Sequence, residues 1–347
     1  MDSIKGNLLY VNYEGSGLLF NKQSFFLVKL KTGQQELVLS VRPSFSKKIY
    51  SHSRLLSRLM RLEPRCAEQL DENRFVVCYQ HKVWLLDTGK KYFSVLQESR
   101  TGFSNPLNLC SDGKYVYWGD YGDNVGREAV RVYRLSSDKI VDVVYEFPKG
   151  AIRHIHNVIW DITHRRFIVL TGDLEETSGI YVATEDWKEV KPMVTGRQQY
   201  RAVVGFPYGE GLIYATDSVS EENNIYLLQG GEAKPLCAFP GSCIYGTETK
   251  NYYVFASTVE PPEGRGILDM FSYKLGAGIR DRYSHLVTVR KSDLKVEEVL
   301  KVKKDIWPMK LFQYGVLTFP KGHNRSEGLW YNVIACKGDG CALHVGI

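Results

Sequence analysis

Arg153, His154 and His156 fall within four residues, and Arg201 follows at some distance. Asp120, Asp173 and Asp217 each close an apolar run. These are the side chains with which a protein moves protons and grips anions. Two histidines two apart on a strand point to one side. They could be metal ligands, general acid/base groups or hydrogen-bonded fillers of a core. A metal site usually needs a third and fourth ligand, and no further histidine stands nearby, so neither a metal nor a cofactor is expected. Guanidinium groups facing an interior surface demand carboxylates, from a neighbouring Asp or from a ligand. An Asp at a strand end also caps turns by accepting backbone N–H bonds.

Together these residues suit an acidic glycan. Asp120, His154, His156, Asp173 and Asp217 form the expected catalytic set. Tyr121, Arg153, Arg201, Trp307 and Lys310 form the expected substrate-binding set, with Trp118 and Tyr200 as further aromatic faces for sugars. A glycoside hydrolase would need two carboxylates about 5 Å apart for retention or roughly 6.5–9.5 Å apart for inversion. A polysaccharide lyase would neutralise a uronate with arginine while His154, His156 or Tyr121 abstracts the C5 proton. The alternative is a non-catalytic propeller scaffold that binds a glycan or a protein.

What would gather such scattered positions is a repeat. A β-rich run, a polar loop and a second apolar run recur, most clearly at Val116–Asp120 before Arg131–Leu135, at Ile168–Asp173 before Gly179–Val182, and at Leu212–Asp217 before Asn224–Leu228. Weaker copies extend the series to anchors near 20, 79, 120, 173, 217, 258 and 320. With a strand before and after each pair, this predicts an all-β, seven-bladed β-propeller as one domain over residues 1–347, with six blades plus an insertion as the alternative. No WD40 signature is present. Strand-one starts and strand-two ends share one face, so the residues above converge at one funnel mouth. Trp307 and Lys310 are expected at the start of the first strand of blade seven, which is read at Pro308–Gln313. Two loops join that face, a glycine-rich blade-six loop at 260–284 and Lys321–Arg325 in blade seven. The helical spacing of Leu55, Leu56, Leu59 and Leu62 predicts one helix over Ser53–Leu62. Closure is left to packing between blades one and seven.

Composition agrees with a folded protein of 347 residues: 44% hydrophobic, 24% charged, and rich in Tyr, Phe and Gly, which favour strands and turns. A net charge of +6 from 45 basic and 39 acidic residues is mild and mixed. It fits an acidic oligo- or polysaccharide partner and gives no reason to expect nucleic acid. No apolar run is long enough for a membrane span. The opening Met1–Gly6 lacks the pattern of a signal peptide, so a cytoplasmic location is expected. The seven cysteines make no CxxC and are expected as reduced thiols.

Tyr117–Tyr121, Arg153–Asn157, Thr171–Asp173, Gly196–Arg201 and Thr216–Asp217 resemble bacterial propellers of the Asp-box (BNR-repeat), sialidase-like class, including exopolysaccharide- and capsule-associated members. The resemblance covers about a third of the chain. It implies a propeller with structural Asp-boxes on outer hairpins, away from the catalytic face. Here the box survives as Ala183-Thr184-Glu185-Asp186-Trp187-Lys188, without its glycine. Sialidases of that class place three arginines on the substrate carboxylate. Arg153, Arg201 and one of Arg131, Arg265, Arg280, Arg282 or Arg325 would match. The Arg-Ile-Pro entry motif is missing and no Tyr–Glu pair can be assigned, so sialidase activity itself is not implied.

Overall fold

The computed structural model describes residues 3–41, 50, 53–264, 266–323 and 328–347. Their strands form seven sheets, and the fold is a seven-bladed β-propeller, nearly all β. By residue contacts the chain divides into two compact units. One comprises Pro64–Thr216 and Leu227–Lys234, the other Met1–Glu63, Asp217–Tyr226 and Pro235–Ile347. Blade five is the sheet Ala202–Tyr208, Gly211–Thr216, Asn223–Gln229 and Glu232–Phe239.

The first unit holds three complete meanders. Blade two is Cys66–Gln69, Arg74–Tyr79, Lys82–Asp87 and Tyr92–Glu98. Blade three is Cys110–Ser111, Val116–Gly119, Val130–Leu135 and Val141–Phe147. Blade four is His154–Asp161, Arg166–Gly172, Gly179–Thr184 and Val190–Thr195. Second strands are buried on both faces, so they read as continuous apolar runs such as Phe167-Ile168-Val169-Leu170. Fourth strands are mostly half-buried or exposed and mix polar with apolar residues, because one face meets water. Between blades three and four, Tyr117, Val132, Phe147, Ile155 and Phe167 form one apolar cluster that also takes in Trp187. This packing holds the start of blade four rigid.

In the second unit, blade one is Asn7–Val11, Ser16–Asn21, Ser24–Lys29 and Gln35–Ser40. Blade six is Cys243–Glu248, Tyr252–Ser257, Tyr283–Arg290 and Val296–Lys303. Blade seven corrects the expectation. Its strands are Val316–Thr318, Leu329–Ile334 and Cys341–Val345, and the fourth is Ser3–Lys5 from the start of the chain, paired Ile4 to Ala342. Closure is thus a hydrogen-bonded ladder as well as packing. Because Ser3–Lys5 fills the fourth place, Val316–Thr318 becomes the first strand, and Met309–Phe312 is a helical turn.

The predicted helix is shorter than its leucine spacing suggested. It spans Arg54–Leu59, with Ser53 Oγ accepting from Leu56 N–H. Its most buried charge is Arg58, which donates to Asp305 Oδ2 at 2.5 Å and to the carbonyl of Phe312. The blade-six loop is strapped to residues 218–223: Gly278 N–H donates to Val219 O, and Asn223 Nδ2 to Gly278 O. A β-carbon at Gly278 would collide with Glu221 O, so this approach requires glycine. Residues Lys321–Gly322 pair in parallel with Tyr10–Val11 of blade one, and His323 stacks on Tyr13. Asn324, Arg325 and Arg265 lie outside the described residues. All seven cysteines are free thiols. Among the described residues no helix is long and apolar enough to cross a membrane.

Candidate functional site

The register of blade four assembles the site. His154 is the partner of Gly172, and Ile155 of Thr171, so the start of the first strand lies beside the end of the second. The ladder then slips by one at His156, which bulges out between Ile155 and Asn157. The same first-strand bulge occurs in blades one, five and six, where it carries Leu9, Val203 and Ile244. Blade four is the one of these four with a polar side chain there. Counted from the bulge, the position of His154 is held in blade five by Arg201.

Asp173 is the centre of the group. His156 Nε2 lies 3.2 Å from Oδ1 and His154 Nε2 3.5 Å from Oδ2. Arg201 Nη2 lies 3.3 Å from Oδ1, and Arg153 Nη1 3.7 Å from Oδ2. Arg201 Nη1 and Gln198 Nε2 both donate to the Asp173 carbonyl, at 3.1 and 3.0 Å. Arg153 Nε donates to Asp123 O at 2.9 Å. Tyr121 leans on the histidines, its ring 4.7 Å from His154 and 6.1 Å from His156, with the Arg65 guanidinium 5.6 Å above it.

The far side of each imidazole is fixed by backbone. His154 Nδ1 is 2.5 Å from Gly122 O, and His156 Nδ1 is 2.8 Å from Ala202 O. Asn157 Nδ2 donates to Val203 O beside them. A carbonyl only accepts, so Nδ1 carries the hydrogen in both rings. Buried His154 Nε2 has no hydrogen-bond partner. Burial lowers the His154 pKa against the raising effect of Asp173, leaving a neutral ring at neutral pH. Burial alone would raise Asp173, but the His154 and His156 imidazoles set against its oxygens hold it well below the usual carboxylate range. Asp173 is the fixed negative charge here.

Six of the expected residues therefore meet: His154, His156, Asp173, Arg153, Arg201 and Tyr121. The others do not. Asp120 is buried and committed, accepting from Arg100 Nη1 at 2.6 Å and from Arg131 N–H at 3.0 Å. Burial nevertheless pushes its carboxyl up. Asp217 follows Thr216, the register equivalent of Thr171, so it corresponds to Gly172 rather than to Asp173. It belongs to the second unit, where its charge acts on Cys243 and Tyr314. Trp307 and Lys310 also belong to that unit, before and on the helical turn, where Lys310 Nζ donates to Gly264 O at 2.6 Å. Arg131 pairs with Glu146 instead of joining Arg153 and Arg201. Arg280 and Arg282 lie in the second unit.

Missed from the sequence were Gly122 and Ala202, which act through their carbonyls and carry no residue-type signal. Gln198 was visible as a polar residue before the blade-five strand but was not singled out. His154, His156 and Asp173 each offer one ligand atom within 4.8 Å of the others, so the set could hold a metal ion. A concavity of about 690 Å³ at the opposite end of the blade-four strands, between Tyr115, Trp160, Arg134 and Arg165, contains none of these residues.

No protein-family model matches the sequence, and no curated protein matches it either. Solved propellers do match the structure. An oligogalacturonate lyase in complex with manganese aligns at TM-score 0.55 and 10% identity, covering 99% of this chain and 90% of the other. Oligogalacturonate lyase from Vibrio parahaemolyticus aligns at 0.53 and 10%, covering 92% and 87%. A chain of the mitotic checkpoint complex aligns at 0.56 and 8%, covering 100% and 94%. These likenesses show the fold alone.

Proposed function

We propose that the cluster around Asp173 binds an acidic saccharide and cleaves it by β-elimination. The observation that carries this reading is the imbalance of charge. One carboxylate faces two guanidinium groups at 3.3 and 3.7 Å, longer than the roughly 2.8 Å of a charge-assisted bond. Neither arginine holds the Asp173 carboxylate with two parallel bonds, so a second carboxylate, that of a uronate, could share the pair. Arg153 and Arg201 would withdraw charge from that carboxylate and acidify the neighbouring C5–H. Tyr121, against the histidine pair, acts as its phenolate and takes the C5 proton. The C5–H electrons become the C4–C5 double bond as the C4–O bond breaks. The departing oxygen takes that proton from the newly formed Tyr121 phenol and leaves as a hydroxyl.

A hydrolase is the weaker reading, because it needs a second free carboxylate. Asp120 is committed to Arg100, and Asp217 takes the register place of Gly172 rather than that of Asp173. An oligogalacturonate lyase shares this fold, and the lyase reading is compatible with that likeness. The link to Asp-box propellers rests on the blade-four outer hairpin. There Asp186 accepts from Thr184 Oγ1 and Lys188 N–H, and Trp187 is buried against Phe167.

Incubation with acidic oligosaccharides distinguishes the outcomes. Lyase action raises both reducing ends and the ultraviolet absorbance of the unsaturated uronate. Reducing ends without absorbance mean hydrolysis and overturn the elimination. Binding without either signal leaves a glycan-binding scaffold, the reading that the partnered state of Asp173 would then favour.

A further inference from the structure

We infer that His154, His156 and Asp173 are a binding site for one divalent transition-metal ion. This does not depend on the saccharide reading; it follows from where the ring hydrogens are. Both Nδ1 atoms are spent on backbone carbonyls, Gly122 O and Ala202 O. That leaves Nε2 as the ligand atom of each ring, and both Nε2 atoms face the Asp173 oxygens, at 3.5 and 3.2 Å. A divalent ion held between these atoms satisfies imidazole and carboxylate together. Two such contacts converge on one carboxylate, with all three donor atoms within 4.8 Å.

Metal-ligating histidines are commonly held in this way, one nitrogen on the ion and the other N–H on a carbonyl. Two imidazoles and one carboxylate form a facial set that suits manganese, iron, cobalt or zinc and leaves open positions. Calcium and magnesium prefer all-oxygen sites. The ligands are also set before any ion arrives. His154 and His156 are buried, and the ring of His156 is wedged against Gly172. Arg153 and Arg201 face the same Asp173 carboxylate, so an anionic ligand beside the ion would balance the added positive charge.

The test uses the full chain, stripped with a chelator and titrated with Mn²⁺ by electron paramagnetic resonance and calorimetry. Co²⁺ serves as a second probe by its visible absorption. We expect one ion per chain and a raised melting temperature. The volume-conserving variants His156→Gln and Asp173→Asn should each weaken binding by tenfold to a hundredfold or more. His81→Ala, at an exposed turn, should leave it unchanged. Failure of the stripped wild-type chain to bind Mn²⁺, Co²⁺ or Zn²⁺ overturns the site. So does unchanged affinity in folded Asp173→Asn, or in a folded variant lacking both histidines. Because binding is read directly, a metal-loaded protein inactive on every saccharide would count against the elimination and not against the ion.

Discussion

The ring of His156 occupies the space that a side chain at Gly172 would need: a β-carbon there would collide with His156 Cε1. The two residues come from adjacent strands of blade four, and Gly172 directly precedes Asp173. Gly172→Ala should therefore push the imidazole away from Asp173. Overpacking of this kind costs about 1–3 kcal/mol. The expected outcome is a modest fall in the denaturation midpoint with a much larger loss of metal and saccharide binding. Equal losses in stability and binding would mean that the contact only fills the core.

Asp120 tests the boundary of the site. It is tied to Arg100 and to the Arg131 N–H, and it supports the chain entering blade four by accepting Ile155 N–H through its carbonyl. Asp120→Asn should destabilise by about 1–3 kcal/mol, the cost of weakening a buried charge-assisted bond. Affinity for acidic saccharides should not change. A selective loss of activity at unchanged stability would return Asp120 to the catalytic set.

These two residues show what could be read from the sequence and what could not. The repeat placed His154 and Asp173 together, because a strand-one start must lie beside a strand-two end in a meander. It also made Asp120 and Asp217 look equivalent to Asp173. The distinction lies in the register: the first-strand bulge is common to blades four and five, but Gly172 stands between Thr171 and Asp173, whereas Asp217 follows Thr216 directly and takes the place of Gly172. Which residues face each other is fixed by the pairing and not by residue type. Arg100, the partner that removes Asp120 from the site, comes from the segment before blade three and belongs to no repeat position. Trp307 and Lys310 were misplaced for a topological reason. Ser3–Lys5 fills the fourth place of blade seven, so the segment before Val316 is free to form a helical turn.

Arg201 donates through Nη1 to the Asp173 carbonyl while Nη2 faces its carboxylate, a forked arrangement that lysine cannot reproduce. Arg201→Lys keeps the charge and removes the geometry. The affinity for acidic oligosaccharides is expected to drop by roughly tenfold, about 1.4 kcal/mol, with the melting temperature nearly unchanged. Calorimetry on a uronate oligomer and on its neutral counterpart checks this. An equal loss on both would show that Arg201 shapes the site without reading the carboxylate.

Ile4 is the buried residue of the strand that completes blade seven, packed with Leu8, Trp330 and Ala342. Truncating it removes apolar contacts from both blade one and blade seven. Ile4→Ala should cost about 2–5 kcal/mol, as for other large-to-small changes in a core, measurable by denaturant unfolding. A loss below about 0.5 kcal/mol, within the range of surface substitutions, would mean that Ser3–Lys5 is dispensable to the last sheet.

Asp339 accepts both Arg54 Nε and Nη2 at 2.9 Å and also pairs with Arg58. Burial would raise its pKa, but the Arg54 hydrogen bond and charge, the Ala335 N–H and the Arg58 charge carry it below the ordinary carboxylate value. A carboxyl whose folded pKa is depressed binds its proton more readily when unfolded. Its contribution is therefore complete above the unfolded pKa of about 3.9 and is lost as pH falls through the lower folded value. Denaturant midpoints followed from about pH 6 down to about pH 3 should decline across this window. Asp339→Asn should be less stable at neutral pH and show a shallower decline. If the variant declines as steeply as the wild type, other carboxylates govern the acid response, and Asp281, also depressed and bonded to His285, is the next to replace.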